Sequence, residues 1–408
     1  MTTDAEGHPH WQRNLGIAMF GAFTTVLATT LLVPFLPLYV ETLGVHGHEA
    51  VAEWSAIAFG ATFLSAGLTA PLWGMVADRF GRKIILVRAS LGMAVCIALT
   101  GMVHSIGQLV AIRLLTGLVG GYGSGALILV ATQTPKARSG WALGLFASAT
   151  TAGTLFGPLA GGIMPGLVGI RATFFVASAL IAVAFVATVL FIREPERPVR
   201  SRAAVSELRV PDRALVAKLL VLSSMVTIAN FSIEPVIPIY AAHLLAHAGE
   251  AVVLSPHATF LAGLVMAASA LGSVVASPRI GHLSDRIGRA RVLTASLLAG
   301  AVLLIPQAFV TAGWQLVILR FLMGVALAGL LPGVNAMLRH AAPAAIAGRV
   351  MALGTSAFYA GQVAGPLIGG FVFGESGGGM SGLRTVFFIT ASVMLLGAGI
   401  ATTLRQRA

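Results

Sequence analysis

The chain has few charged residues and almost no cysteine. Charged residues make up 10% of its 408 residues, whereas 57% are hydrophobic. So small a charged fraction cannot cover the surface of a water-soluble globule of this length. The one cysteine, Cys96, leaves no partner for an internal disulfide and excludes a cysteine-based metal site. The composition predicts a protein whose surface lies in lipid.

Acidic residues are also scarce, because 26 Lys and Arg stand against 14 Asp and Glu, for a formal net charge of +12. Such a charge is typical of nucleic-acid-binding proteins, but its placement favours another interpretation. If the N-terminus is cytoplasmic, all but four of the basic residues fall on cytoplasmic segments, and Arg171 and Arg384 alone fall outside. This distribution follows the positive-inside rule. It predicts a multi-pass protein with both termini in the cytoplasm and no nucleic-acid partner.

Uncharged runs long enough to cross a bilayer as helices recur throughout the chain, since about 20 apolar residues span the hydrocarbon core. The first run is too long for a signal peptide and is expected to remain as a helix. The sequence predicts twelve helices, near residues 14–40, 53–75, 84–104, 108–131, 140–165, 171–192, 214–241, 257–279, 291–311, 314–338, 349–372 and 383–404.

The two halves of the chain repeat each other. The segment Gly74–Lys83 returns as Gly281–Arg289, and Arg113 recurs as Arg320 at the same spacing. Internal repeats of this kind build transporters whose halves move about a central site. The fold prediction is an all-α membrane protein, with twelve transmembrane helices in two pseudo-symmetric six-helix bundles. Its domains are residues 1–192 and 214–408, joined by a charged, proline-containing cytoplasmic linker at 193–213.

The repeated loop between predicted helices 2 and 3 combines glycine with opposite charges. Its two glycines are expected to allow tight backbone at either end of the turn. A carboxylate at the helix end can pair with arginine or bind a neighbouring helix N-terminus. A basic loop that only fixes membrane orientation remains an alternative. The candidate gating residues are Gly74, Asp78, Arg79, Gly81, Arg82, Asp285 and Arg286.

Predicted helix 5 carries a stripe of glycines. Residues four apart lie on one face of a helix, so Gly153, Gly157 and Gly161 form a flat strip beside Pro158 and Gly162. Small residues let another helix approach closely, and the proline allows a bend. Ordinary helix packing explains the same pattern. Predicted helix 11 repeats it between Gly361 and Gly370.

Two charged side chains are placed at membrane depth and are candidates for proton coupling. Glu234 precedes Pro235 on predicted helix 7, and Arg113 lies within predicted helix 4. Charges inside the membrane are costly and usually face a cavity or a partner. Each side chain also has a simpler alternative. Arg113 is near enough to the outer interface to extend towards the headgroups, and Glu234 could be held there by a local hydrogen bond.

Several polar and aromatic residues lie on helices that would line a transport pathway. Aromatic residues in membrane proteins more often face lipid or the protein interior than a substrate. The position of each residue in the cavity wall is therefore a hypothesis. The histidines near the outer loop have no metal-ligand spacing on a helix face, and no metal or cofactor is expected. The candidate cavity residues are Thr25, Thr29, Phe35, Tyr122, Phe146, Asn230, Phe231, Phe358, Tyr359 and Gln362.

These motifs together resemble the major facilitator superfamily. The loop at Gly74–Lys83 looks like its signature loop, which implies that Asp78, Arg79 and Arg82 dock on helix 11 in the outward-facing state. The arginine motif at Arg113 is similar to that of proton-coupled members, and the helix 5 glycine motif is typical of exporters. Along the whole chain the sequence resembles MdtG-type bacterial multidrug resistance transporters, drug/proton antiporters of the superfamily. Helix 1 departs from several cation exporters because it has no acid in its core.

The expected function is proton-coupled export of amphipathic small molecules across the bacterial inner membrane, by a monomer without cofactors. An alternative is export of an endogenous metabolite, such as a sugar or lipid derivative, with drug transport incidental. A membrane enzyme is disfavoured because no nucleophile–base arrangement lies within the helices. A non-transporting receptor would not require two loops and two glycine stripes of this kind.

Overall fold

The computed structural model describes residues 8–194, 212–246, 252–343 and 347–404. Within these ranges, twelve helical spans are long and apolar enough to cross a membrane, which confirms the predicted all-α, twelve-helix fold. Most of the predicted linker lies outside the described residues, so the predicted domain boundaries stay a prediction.

The first half contains six spans, two of which are interrupted. We label the interrupted spans as pairs of helices. The bounds are α1a Trp11–Leu31 and α1b Leu36–Thr42, α2 His48–Phe80, α3 Arg82–Thr100, α4a Ile106–Val119 and α4b Tyr122–Gln133, α5 Ser139–Val168, and α6 Ile170–Phe191.

The second half repeats this arrangement, with interruptions in the corresponding spans. The bounds are α7a Arg213–Phe231 and α7b Ile237–Leu245, α8 Pro256–Ile287, α9 Arg289–Gln307, α10a Gly313–Leu327 and α10b Leu330–His340, α11 Ala347–Glu375, and α12 Gly379–Leu404.

Proline and glycine account for the interruptions. Short 3₁₀ segments at Val33–Phe35 and Glu234–Val236 divide the first span of each half, and Pro34 and Pro235 stand at their starts. Proline supplies no backbone N–H and so ends the α-helical hydrogen-bond ladder. In α4 the break falls at Gly121, whose φ of 103° is rarely adopted by residues with a side chain.

The bundle has two ends. We call the end where α2, α4b and α8 finish the basic face, because most Lys and Arg residues of the chain lie on its segments. The other end, with the connections between α1b and α2 and between α11 and α12, is the opposite face. The halves meet through α2 with α11 and through α5 with α8.

The contact between α2 and α11 exists at one end only. Gly60, Gly67 and Gly74 lie at heptad spacing on one side of α2. A methyl group on Gly60 would lie 3.5 Å from the Val363 carbonyl oxygen, and one on Gly67 would lie 3.1 Å from the Tyr359 Cβ atom, whereas one on Gly74 would meet nothing within 4 Å. The halves therefore touch from the opposite face to Tyr359 and separate towards the basic face.

Candidate functional site

Glu234 occupies the break in the seventh span. It begins the 3₁₀ segment between α7a and α7b, and this segment packs against both α2 and α11. The Glu234 side chain is half-buried and makes no hydrogen bond to a described residue. Its charge interacts with that of Arg320. The structure thus places a carboxyl group where the two halves meet, within electrostatic range of Arg320 but in no salt bridge with it.

Arg320 lies on α10a and is 6% exposed. Its Nε atom makes no hydrogen bond to a described residue. Gly324, one turn further along, allows the approach that buries it, because a methyl group there would overlap the Ser269 carbonyl oxygen of α8. The charge of Glu234 acts on Arg320 through space, since the two side chains form no hydrogen bond or salt bridge with each other.

Arg113, the equivalent arginine of the first half, is 1% exposed. Its Nε–H donates to the Ala58 carbonyl oxygen at 3.4 Å, and its Nη1 atom has no hydrogen-bond partner among the described residues. Arg113 therefore lies against α2 in the interior of its own half. It does not extend to the headgroups, so that alternative is wrong for this conformation, while its predicted influence on Glu234 stays a prediction.

An aromatic cluster joins the halves next to Glu234. The Phe231 ring lies 6.0 Å from that of Phe59 and 5.9 Å from that of Phe63, measured between ring centroids. Phe59 and Phe63 are 5.1 Å apart on α2. Asn230, the residue before Phe231, is half-buried on α7a. The cluster offers apolar surface beside a carboxyl group, the combination that suits amphipathic ligands.

The predicted cavity residues of α11 lie where it passes α7a and α2. Tyr359 packs on Gly67, and its ring is 6.1 Å from that of Phe358. Gln362 is 6% exposed, and its Oε1 atom has no hydrogen-bond partner among the described residues. A buried amide oxygen without a donor is costly, so this atom is available to a ligand or water.

The predicted cavity residues of the first half are mostly packed inside it. Thr25 donates to the Gly21 carbonyl oxygen at 2.8 Å, and Thr29 donates to that of Thr25 at 3.0 Å. The Phe35 ring contacts Phe174 edge-on at 5.4 Å. Tyr122 and Phe146 belong to one buried cluster with α1a. Thr25, Tyr122 and Phe146 therefore lie within the first half, whereas the 3₁₀ segment that contains Phe35 also contacts α7b and α8 of the second half.

The glycine stripe of α5 serves two neighbours. A methyl group on Gly153 would come within 2.8 Å of the Phe23 carbonyl oxygen, and methyl groups on Gly157 and Gly161 would overlap α1a. Gly162 turns to the other half, where a methyl group would lie 3.2 Å from the Phe260 Cα atom on α8. Pro158 lies inside the helix. Three glycines therefore hold the first half together, and Gly162 forms the contact between halves.

The second half repeats the division on α11. Gly361, Gly365 and Gly369 pack on α7a and the residue that follows it, and a methyl group on Gly370 would come within 2.6 Å of the Ala56 Cβ atom on α2. Both halves thus use one glycine of the motif to approach the other half.

The gating loops lie at the separated end. Gly81 has a φ of 94° and forms the whole turn between α2 and α3, while Gly74 lies inside α2. The expectation of a second turn glycine was wrong because α2 continues beyond Gly74 to Phe80. Arg79 is exposed, and the side chain of Asp78 lies outside the described part of the structure.

Glu194 was not predicted to contact the first loop. Its Oε2 atom accepts a hydrogen bond of 2.7 Å from the backbone N–H of Lys83, at the start of α3, where the helix dipole favours negative charge. The Lys83 Nζ atom donates to the Val189 carbonyl oxygen on α6 at 2.8 Å. Arg82, at the start of α3, is half-buried. The loop is tied to α6 within its own half.

The second loop is less constrained. The Asp285 side chain is 73% exposed, with its nearest carboxylate oxygen 4.0 Å from an Arg289 nitrogen atom, and Arg286 is exposed. An exposed pair at this distance contributes little stability. The predicted role of Asp285 and Arg286 as a latch stays a prediction for a conformation in which the basic face closes.

Sequence reasoning missed three residues of the site. Phe59 and Phe63 share one face of α2 at i, i+4 spacing, which was a usable signal. The sequence identifies Arg320 as the repeat of Arg113, but its electrostatic interaction with Glu234 depends on how α7 and α10 pack, which the repeat does not reveal.

The site and fold define a membrane transporter built from two related halves. Residues 18–262 and 219–407 match the sequence profile of the Major Facilitator Superfamily. The chain is 40% identical over 392 residues to the multidrug resistance protein MdtG of Dickeya zeae (strain Ech586), covering 95% of this chain and 93% of that protein. It is 39% identical over 395 residues to MdtG of Salmonella paratyphi C (strain RKS4594), with 95% and 94% covered.

Solved structures give the same fold. A bacterial homologue of the human lysosomal transporter Spinster, in an inward-facing and occupied conformation, has a TM-score of 0.77 at 14% identity, covering 98% of both chains. The nucleoside transporter NupG has a TM-score of 0.71 at 16% identity, covering 97% of this chain and 100% of its own. The chain belongs to the Major Facilitator Superfamily, and the predicted resemblance is confirmed.

Proposed function

We propose that this transporter exports amphipathic small molecules, drugs among them, across the bacterial inner membrane in exchange for protons. The relatives named as multidrug resistance proteins support the substrate class. The single observation that carries the proton coupling is the half-buried Glu234 carboxyl group, which lies in a broken helix between the halves and interacts electrostatically with Arg320.

The cycle follows from the position of this pair. With the basic face on the cytoplasmic side, the separated ends of the halves admit substrate from the cytoplasm to the Phe59–Phe63–Phe231 cluster. A charged Glu234 is stabilised by Arg320, whereas a protonated Glu234 is not. Proton uptake therefore removes the electrostatic attraction between α7 and α10. We propose that Glu234 takes its proton from the periplasm and loses it to the cytoplasm.

The other predicted residues act around this step. In the proposal, Arg113 influences the proton affinity of Glu234 from the first half. The loops around Asp78 and Asp285 would hold the basic face closed in the outward-facing state. Gly162 and Gly370 allow the close contacts of the opposite face, which must form and break in every cycle.

The test is dye efflux from proteoliposomes under an imposed pH gradient, with wild type, Glu234→Gln and the control Glu41→Gln. Glu41 is a half-buried acid of α1b at the opposite face, away from Arg320. We expect Glu234→Gln to lose gradient-driven efflux by about 100-fold or more, the scale typical of losing a proton-transfer group, and Glu41→Gln to retain it. Full gradient-driven efflux by Glu234→Gln would overturn the assignment of this residue.

A further inference from the structure

Two histidines from different halves meet at the opposite face. His48 begins α2, and His243 lies near the end of α7b. Their ring centroids are 5.5 Å apart at an interplanar angle of 59°, and both side chains are half-buried. Neither histidine is part of the transport mechanism described above.

The hydrogen bonding of His243 shows where it would accept a proton. Its Nδ1 atom lies 2.9 Å from the Ile239 carbonyl oxygen. A carbonyl oxygen only accepts hydrogen bonds, so Nδ1 carries the hydrogen in this contact. The neutral ring then has its lone pair on Nε2. Protonation there makes His243 a cation without breaking its bond to Ile239.

The pair belongs to the contact that closes the opposite face. Within the first two turns of α2 that follow His48, Glu49 packs on Gly378 and Glu53 on Gly374, close to the end of α11. These acids therefore point to α11, while His48 meets α7b. Separation of the halves at this face must separate the two histidine rings.

Other titratable groups on the surrounding elements can alter the electrostatics of the pair, but the two histidines themselves make the contact. Glu49 and Glu53 would attract a protonated His48, but they belong to the same helix and remain near it whether the face is open or closed. Arg384 on α12 acts electrostatically on Tyr240, one turn from His243. The other titratable groups on adjoining segments, among the residues that the structure describes, include Glu41, His46, His257 and Glu375.

We propose that the His48–His243 pair is a proton-sensitive contact, which stabilises the closed opposite face while one ring is neutral and opens it when both are protonated. Two imidazolium groups at this distance repel each other, and the repulsion is relieved only when the halves separate. This rests on the proposed function in one respect, because the opposite face must be one that opens. Acidification on the periplasmic side would then favour the outward-open state, from which Glu234 is proposed to take its proton.

The experiment measures the opening directly. Spin labels on His46→Cys and Leu245→Cys, in a Cys96→Ala background, report the distance between the halves at the opposite face. Both label sites are exposed, and Cys96 is buried. Distances are measured from about pH 8 to about pH 5, on either side of the usual histidine pKa of about 6.5. We expect acidification to raise the open-to-closed ratio by roughly tenfold, a typical coupling between sites.

Three variants make the test specific. His48→Gln and His243→Gln each leave at most one charge in the pair, so each alone should abolish the response. His104→Gln is the matched control, because His104 lies at the same face but contacts Arg171 in its own half. A response that persists in His48→Gln and His243→Gln, or no response in the wild type, would overturn the inference. Efflux is measured separately, so loss of the proposed transport function would not be mistaken for loss of this contact.

Discussion

The first span of each half has the same backbone break but a different side chain at it. The first half breaks at Val33–Phe35 and the second at Glu234–Val236, and each break contains a proline as its second residue. Val33 is buried among hydrophobic residues, whereas Glu234 is half-buried and interacts electrostatically with Arg320. Duplication therefore preserved the geometry of the helix break, and one copy of it carries an ionisable group.

The two membrane-depth arginines differ in the same way. The charge of Arg320 interacts with the carboxyl group of Glu234. Arg113 instead has a long hydrogen bond to Ala58 and an Nη1 atom without a partner among the described residues. We infer that the second half carries the ionic chemistry of the site. The comparison also teaches that a repeated motif need not repeat its function, because the function depends on the residue that faces it.

The largest expected effect is a difference in stability between variants of Arg320 and Arg113. Arg320→Met removes the positive charge that acts on Glu234 and should lower the free energy of unfolding by about 2 kcal/mol, less than the roughly 4 kcal/mol of two unit charges 4 Å apart near a protein surface. Arg113→Met removes a guanidinium that pairs with no acid among the described residues, and should be neutral or stabilising. Thermal unfolding of the purified protein in detergent measures both.

A double-mutant cycle makes this contrast sharper. Adding Glu234→Gln should recover part of the stability lost in Arg320→Met, since the charges of the two residues interact. The coupling of the same change to Arg113→Met should be smaller in this conformation, because Arg113 lies within its own half. Equal coupling of Glu234 to both arginines would contradict the inferred difference between the halves.

The sequence predicted the repeat, the twelve helices and the residues at membrane depth, because each depends on composition and spacing along the chain. It did not predict which neighbour covers each helix face. Gly161 and Gly162 are adjacent, yet one packs on α1a and the other on α8. Tyr122 lies on a helix that was expected to line the cavity, but its hydroxyl group lies 3.1 Å from the Thr188 hydroxyl group inside the first half. Periodicity shows which residues share a face, and only packing shows what that face contacts.

Contacts within a half and between halves can be compared on one helix. Gly161→Ala places a methyl group against the Leu31 carbonyl oxygen and should cost about 2 kcal/mol of stability, as overpacking of a rigid core does. Gly162→Ala meets α8 at 3.2 Å, so the halves can shift slightly to relieve it. It should cost less stability and instead weaken closure of the opposite face, measured with the spin-label pair. Gly144→Ala, with nothing within 4 Å, is the control. Greater destabilisation by Gly162→Ala than by Gly161→Ala would reverse the assignment.

The smallest expected effect concerns the breaks in α4 and α10. The break in α4 has a cationic contact, whereas the corresponding break in α10 has an apolar contact. At the break in α4, the Arg88 guanidinium carbon lies 3.4 Å from the Trp73 ring centroid, and its Nη2 atom donates to the Gly120 carbonyl oxygen at 2.6 Å. At the corresponding break in α10, Ile280 packs directly on Gly329.

Trp73→Leu removes the cation–π contact and also the 2.8 Å hydrogen bond that the Trp73 indole N–H donates to the Leu118 carbonyl oxygen. It should lower the free energy of unfolding by about 1 kcal/mol, roughly 0.5 kcal/mol for each contact at a half-exposed site. Ile280→Leu keeps the apolar volume of its break and should change it by less than about 0.5 kcal/mol. Thermal unfolding of both variants, side by side, gives the difference. Because an arginine that loses its aromatic partner still keeps its carbonyl hydrogen bonds, the effect should stay well below that of Arg320→Met. Equal stability of Trp73→Leu and Ile280→Leu would mean that neither contact of Trp73 stabilises the break.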